Sequence, residues 1–214
     1  MVNENIFTSR ALAVAGASES VEWLALEPGR ALLIRDWLSP EASSELLRDC
    51  RQNLQWDQPK VYLFGRHYPI PRLHAYVGDP GAVYRWSGLA LTPQPWSRPL
   101  TAVRARLAAA GFDFNSVLVN RYRGGRDSMG WHADNERELG TYPVIATLSL
   151  GQLRRLSFRR RDKSRRLALD LPNGSLLFTS GAVQQFWLHQ LAKSARQMDE
   201  RISLTFRKIE LSPS

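Results

Sequence analysis

The segment Trp131-His132-Ala133-Asp134 sets an imidazole and a carboxylate two residues apart. In an extended chain, residues i and i+2 project to the same side, so the two groups can meet at one point. They offer two ligands for a metal ion, and His189, in the later Trp187-Leu188-His189 segment, offers a third. Two histidines and one carboxylate form a facial triad that leaves positions open on Fe(II) for a chelating cosubstrate and dioxygen. The His-x-Asp spacing alone is weak, because it equally describes a histidine bonded to a neighbouring carboxylate.

The C-terminal run strengthens the metal reading. Arg201, Ser203, Thr205 and Arg207 alternate with Ile202, Leu204 and Phe206. That period of two puts both arginines on one face of a strand and the apolar residues on the other. With the apolar face in the core, both guanidiniums would enter the space enclosed on the opposite side, where an unpaired charge is very costly. They then need an anion, and a dicarboxylate such as 2-oxoglutarate suits them, since guanidinium forks match carboxylates bidentately. A solvated edge strand would show the same periodicity. Asn120 and Tyr122, two apart in another expected strand, add neutral hydrogen-bonding groups for the same ligand.

These side chains need a scaffold. From Asn115 onward, short runs rich in Val, Ile, Leu, Thr and Phe are punctuated by Gly, Pro and Asn. They predict strands near 116–122, 144–150, 154–160, 166–171, 175–179 and 201–208, with a turn at Pro172-Asn173-Gly174. Ser39-Pro40-Glu41 has the chemistry of a helix start, and that helix should run to about Gln52. A second helix is expected from Arg98 to Ala110, with Leu100, Val103 and Leu107 on one side and Gly111 as the stop. The expected class is α+β, mainly β: an antiparallel sandwich or jelly roll with helices covering one face.

Length and composition bound the rest. The 214 residues suit one domain, and 43% hydrophobic with 23% charged residues excludes a disordered chain. The stretch Ala11 to Ala17 is too short to span a membrane, and Glu4 and Glu19 flank it where a signal peptide would be positive. Residues 1–25 are therefore expected to form a mobile arm, 26–210 the single domain and 211–214 a tail. The single Cys50 excludes an internal disulfide and reads as a small buried apolar side chain. Lys and Arg exceed Asp and Glu by 29 to 20, a formal charge of +9, which favours a polyanionic partner.

His132-x-Asp134, the later His189, and Arg201 to Arg207 within Arg-Ile-Ser-Leu-Thr-Phe-Arg together resemble the AlkB family of dealkylating dioxygenases, over about Arg30 to Ile209. Val119-Asn120-Arg121-Tyr122, Asp134-Asn135-Glu136-Arg137-Glu138-Leu139 and Leu204-Thr205-Phe206-Arg207-Lys208 resemble its nuclear DNA-repair branch. The resemblance implies a double-stranded β-helix core over 115–209 and a nucleotide-recognition lid over 60–90. It implies Fe(II) on His132, Asp134 and His189, with 2-oxoglutarate and O2 as cosubstrates. Asn120, Tyr122, Arg201 and Arg207 would hold 2-oxoglutarate, Arg201 at its distal carboxylate and Arg207 beside the keto group. The implied reaction hydroxylates an alkyl carbon on a base nitrogen in DNA and releases formaldehyde, succinate and CO2.

An enzyme that works on a duplex must flip its target base out and hold it between flat side chains. By resemblance, Tyr84 and Trp86 line that base pocket, His132 stacks on the other face of the base, and Glu136 counters the charge of a methylated base. Core packing is the competing reading of both aromatics. Val61-Tyr62-Leu63-Phe64-Gly65-Arg66 resembles the hairpin of the duplex-acting branch, with Phe64 as a wedge in the vacated stack; a buried Phe64 is the alternative. The basic run from Arg154 to Arg166, including Arg159, Arg160, Arg161, Lys163 and Arg165, suits phosphate contacts, and Lys193 and Arg196 extend it. Asn135 replaces an aspartate usual in the relatives and Ser203 an asparagine, which bears on substrate preference. His67 and His74 read as ordinary loop or surface histidines.

The expected partner is double-stranded DNA, with single strands and RNA also admitted, and the expected state is a monomer away from membranes. Localisation would be cytoplasmic and nucleoid-associated in a bacterium, or nuclear in a eukaryote. Two competing functions are the same chemistry on RNA or protein, and a nonenzymatic nucleic-acid-binding module.

Overall fold

A computed structural model describes residues 4–15, 20–63, 65–86 and 89–210. In chain order the elements are helix α1 (Glu4–Ala15), strands β1 (Val21–Leu24) and β2 (Arg30–Ile34), helix α2 (Pro40–Asn53), strands β3 (Lys60–Leu63), β4 (Arg66–Pro69), β5 (Leu73–Gly78), β6 (Tyr84–Trp86) and β7 (Leu89–Leu91), and helix α3 (Arg98–Ala109). There follow β8 (Ser116–Tyr122), β9 (Met129–His132), β10 (Ile145–Gly151), β11 (Arg154–Arg160), β12 (Arg166–Leu171), β13 (Leu176–Ser180), the single turn α4 (Val183–Phe186), β14 (Trp187–Leu191) and β15 (Arg201–Arg207).

A seven-stranded sheet in the order β1-β2-β13-β10-β15-β8-β5 faces a four-stranded sheet in the order β12-β11-β14-β9, every pairing being antiparallel. With helices on one outer face, this is the mainly β, jelly-roll architecture expected from the sequence. The hairpins β3–β4 and β6–β7 stand apart from both sheets.

Strand β15 lies between β10 and β8, so the solvated edge strand is excluded. Its alternation sorts the molecule into two compartments. Ile202, Leu204 and Phe206 join Leu46 of α2 and Leu100, Val103 and Leu107 of α3 in the main core. The other face of β15 turns toward the small sheet. A second apolar cluster, including Leu33, Phe158, Leu169, Leu177 and Trp187, closes the two sheets on each other at one end.

Local chemistry explains the helix ends. The Ser39 side chain accepts from the Ala42 backbone N–H with Pro40 in the first turn, and the Ser97 side chain caps α3 in the same way. Gly111, at φ +87°, takes the left-handed conformation that ends α3. The Pro172-Asn173-Gly174 turn is present, with the Ser175 N–H donating to the Pro172 carbonyl. Cys50 is fully buried, and burial pushes its thiol up to about 12.

The expected mobile arm over 1–25 is corrected at two places: Glu4–Ala15 folds as α1 against the core, and Val21–Leu24 is β1, paired with β2 in the large sheet. Phe7, Ala11, Val14 and Ala15 are buried, and the Phe7 ring meets Trp23, Phe112 and Phe178 edge-on. The exposed face of α1 carries Ile6 and Leu12, so the apolar periodicity that would have revealed the helix is blurred. His74, expected on a loop or the surface, is buried within β5 opposite Asn120.

Phe7→Ala should lower stability by about 3 kcal/mol or more, the usual cost of removing a buried phenyl group. Urea unfolding measures it, and a loss below about 0.5 kcal/mol, typical of a surface change, would return α1 to the status of a loose arm.

Candidate active site

Strands β9 and β14 of the small sheet bring the two histidines together. His132 is the register partner of His189, and their ring centroids are 4.1 Å apart. His132 Nδ1 lies 2.9 Å from the Gly130 carbonyl. A carbonyl only accepts, so Nδ1 carries the proton and Nε2 is left for a ligand. Asp134, just beyond β9, is held by its backbone N–H donating to Gln184 Oε1 at 3.0 Å, while Gln184 Nε2 donates to Thr179 Oγ1. One ligand atom from each of His132, Asp134 and His189 lies within 4.8 Å of the others.

The electrostatics suit a cation. Burial, then the neighbouring His132, pushes His189 down to about 3, and burial likewise lowers His132. Burial alone would raise the Asp134 carboxyl, but Arg207, His189 and His132 more than reverse it and hold it below the usual carboxylate range. Two neutral imidazoles and an anionic carboxylate are the protonation states a metal requires. Two nitrogens and one oxygen on one side of an open position fit Fe(II).

Opposite the triad, β15 supplies the arginines. Arg201 is 2% exposed and Arg207 4%. Arg207 Nη2 pairs with Asp134 Oδ1 at 2.8 Å, yet its Nε and Nη1 are buried with no partner. Arg201 Nη2 donates to Ser149 Oγ at 2.9 Å, while its Nε has no partner. Such donors cost about 1–3 kcal/mol each, and more when charged, unless a ligand accepts from them. Burial lowers the Arg201 guanidinium to about 10, so it stays charged at neutral pH. Both arginines, Asn120, Tyr122 and the triad line one cavity. The unpartnered guanidinium N–H groups in it fit the carboxylates of a small dicarboxylate.

The sequence reading missed Arg72. It is buried, and its Nε donates to Asn120 Oδ1 at 2.7 Å. Guanidinium has only donors, so this bond commits the Asn120 carbonyl oxygen and leaves the amide N–H groups for the cavity. Arg72 follows Pro71 in a connecting segment, where no periodicity marks it.

The substrate-side residues divide. Tyr84 is fully buried in a small cluster with Tyr76 and Leu118, as the packing reading held, and its ring lies 5.1 Å from the Arg207 guanidinium. Its hydroxyl and the Glu136 Oε2 are both buried without a hydrogen-bond partner, and the Glu136 carboxyl is raised by burial and by Asp134. Asn135 is exposed. Phe64 and the Trp86 side chain lie outside the described residues.

The basic run does form a hairpin, β11–β12, although its arginines are not equivalent. Arg154 is corrected: it is a buried strut donating to the carbonyls of Gly124, Asp127 and Ala192, and cannot face phosphate. Arg159 stacks over Trp131 at 4.5 Å, Arg160 pairs with Asp162, Arg161 donates to the Gln185 carbonyl and Arg165 pairs with Glu27. Lys163 at the hairpin tip, Lys193 and Arg196 are exposed.

Residues 30–207 match the family model described as the 2OG-Fe(II) oxygenase superfamily. The chain is 39% identical over 179 residues to the Mus musculus protein named DNA oxidative demethylase ALKBH2, covering 78% of this chain and 75% of that one. Its Homo sapiens counterpart is 40% identical over 162 residues, covering 72% of this chain and 62% of the relative. The Homo sapiens alpha-ketoglutarate-dependent dioxygenase alkB homolog 3 is 31% identical, covering 91% and 72%. The chain spans about three fifths of the length of the human ALKBH2 relative. Among solved structures, one titled "The structure of OsALKBH1" matches with a TM-score of 0.59 at 18% identity, covering 83% of this chain and 97% of that one, a likeness of fold.

Two outcomes follow from the geometry. Arg72→Met should weaken 2-oxoglutarate binding by about tenfold, roughly one hydrogen bond to a charged group, in calorimetry with Mn(II) replacing Fe(II); unchanged affinity would remove the orienting role. For the metal-free protein, an unfolded histidine gains a proton below about pH 6.5, whereas folded His189 stays neutral down to about 3. Stability should therefore fall between pH 7 and 4.5, by at most about 1.4 kcal/mol per unit for one such group. Urea midpoints of His189→Gln should fall less steeply with acid than those of the parent.

Proposed function

The chain belongs to the 2OG-Fe(II) oxygenase superfamily and, within it, to the AlkB family, and from that membership we propose that it oxidatively demethylates alkylated bases in DNA, of the 1-methyladenine and 3-methylcytosine type. The observation that carries the chemistry is the pair Arg201 and Arg207, buried with unpartnered N–H groups in the cavity that gathers His132, Asp134 and His189. A nonenzymatic binding module would leave those charges without a counterpart. The DNA assignment draws on the names of the relatives and on the basic, aromatic-bearing hairpins of this chain.

Fe(II), with 2-oxoglutarate and dioxygen, supplies the oxidising power that hydroxylates the alkyl carbon, so that formaldehyde, succinate and CO2 leave. The chain's own residues hold and orient. His132, Asp134 and His189 would hold the metal, with the His132 Nδ1 proton fixed on the Gly130 carbonyl so that Nε2 is left free as the ligand atom. Arg207 takes the carboxylate beside the keto group, Arg201 the distal one, and Asn120 and Tyr122 add hydrogen bonds. Arg207 also stays paired to Asp134, which ties the cosubstrate's position to that of the metal. Such registration is most of what a protein contributes when the cofactor carries the reaction.

Trp86 and His132 enclose the flipped base, with Asn135 and Glu136 at its polar edge, while the fully buried Tyr84 backs Arg207 from the core. A 1-methyladenine or 3-methylcytosine ring is cationic, and Glu136, next to Tyr84, offers it a counter-charge. Arg159, Arg160, Arg161, Lys163, Arg165, Lys193 and Arg196 form the phosphate track, residues 60–90 the lid and Phe64 the wedge of a duplex-acting monomer. The site of action is the nucleoid of a bacterium or the nucleus of a eukaryote.

Iron-loaded protein should release formaldehyde and succinate in equal amounts from a 1-methyladenine oligonucleotide, and Asp134→Ala should lose about a hundredfold or more of that activity with its bound iron. Methylated DNA, RNA and peptide are compared in one assay. Product from RNA or peptide but not from DNA would overturn the substrate; turnover unaffected by Asp134→Ala would overturn the metal site.

A further inference from the structure

The β3–β4 hairpin carries a cluster that the cavity does not use. In its register Tyr62 stands opposite His67, so the two side chains share one face, and their rings lie 5.0 Å apart with a tilt of 58°. Tyr62 is 66% exposed, and Lys60, on the same face, and Arg66 are exposed as well. Residues 58–72 contain Lys60, Arg66 and Arg72 and no Asp or Glu.

A lone exposed apolar residue carries no message. A braced aromatic pair flanked only by cations is different: it matches surfaces that hold unpaired nucleotides, where a base stacks on a ring and the cations follow the phosphates. The hairpin is also rooted beside the active cavity. Directly after β4, Ile70 and Arg72 are buried, and Arg72 bonds Asn120, which lines that cavity. Four residues of strand extend about 13 Å from this anchor, and neither Tyr62 nor His67 is among the residues that line the cavity.

We propose that Tyr62, braced by His67, is a stacking shelf for an unpaired base flanking the target nucleotide, with Lys60, on the same face, on an adjoining phosphate. The inference rests on the DNA reading and adds a second nucleotide subsite outside the active cavity. Stacking on a ring is tolerant of sequence, since every base has a π-face, so the shelf strengthens binding without selecting a sequence.

The test is fluorescence anisotropy with a labelled single-stranded oligonucleotide that carries one 1-methyladenine and extends several nucleotides to either side. Tyr62→Ala should weaken binding by about tenfold, Tyr62→Phe and Tyr62→Trp should stay within about twofold of the parent, and a 5-iodouracil placed beside the lesion should crosslink to Tyr62. Because Tyr62→Ala removes no charge, the slope of log affinity against log salt should not change, whereas Lys60→Gln should flatten it.

Parental affinity in Tyr62→Ala would overturn the shelf. So would a Tyr62→Phe as weak as Tyr62→Ala, which would mean a hydroxyl hydrogen bond instead of stacking. A dimer in sedimentation that Tyr62→Ala dissociates would give this face to a second copy of the chain. If the parent protein neither binds nor demethylates the oligonucleotide, alone or annealed to its complement, the DNA reading fails and takes the shelf with it; if the parent binds and demethylates the single strand and Tyr62→Ala matches it, the shelf alone fails.

Discussion

Two guanidiniums placed on the inner face of a central strand are the constraint around which this protein is arranged. Arg201 and Arg207 cannot reach solvent from β15, which is flanked by β10 and β8 and backed by the main apolar core. Burial of an unpaired charge would cost more than a domain's usual net stability can bear. The surroundings answer in part: Ser149 accepts from Arg201, and Asp134 accepts from Arg207. What they leave unanswered, three buried guanidinium nitrogens among the two side chains, calls for an anionic ligand in the cavity.

Arg207 gives that arrangement its coherence across the two sheets. It belongs to the large sheet, while Asp134 follows a strand of the small one, so their ion pair bridges the layers at the metal site. The same charge that would bind a cosubstrate carboxylate keeps Asp134 ionised in a fully enclosed position. Removing Arg207 would therefore disturb both ligands at once, and the effects of Arg207 and Asp134 substitutions should not add. Arg72 has a related function one step away, where it decides which end of the Asn120 amide faces the cavity.

The parts that were legible in the sequence share a physical cause. β15 was readable because one face is apolar and the other polar, so period two appears in the residue types. β8, β11 and β12 were found within the expected bounds, and α2 and α3 announced themselves through capping serines and helical spacing. Strand β5 was not found, because all but its first residue are buried and alternation disappears when both faces are covered. β9 is four residues long and includes a glycine, too little for a pattern, although it carries His132. The convergence of His189 on His132 depends on the β9–β14 pairing across a long stretch of chain, and local spacing cannot encode that. The AlkB resemblance supplied it. Charge counting was the least discriminating signal, since Arg154 belongs to the same basic run as Arg159 yet is a buried strut.

Chemistry and recognition occupy mechanically different parts of the fold. The metal and cosubstrate residues sit on strands of the two main sheets or directly beside them, and the rotamers of Arg201 and Arg207 are limited by burial on every side. The β3–β4 and β6–β7 hairpins each pair only with themselves. Loosely attached elements open at lower free energy than core strands, and binding surfaces are drawn from such elements. On the proposed function, an exposed substitution in the β3–β4 hairpin would alter nucleic-acid binding while leaving the β15 constraint intact, whereas Tyr84 of β6 packs against Arg207 and belongs to that constraint. A substitution on β15 leaves a buried charge misplaced whatever the substrate. On the same reading, Asn135, exposed beside Asp134, would retune substrate preference without touching the ion pair of Asp134 and Arg207 that joins the two sheets.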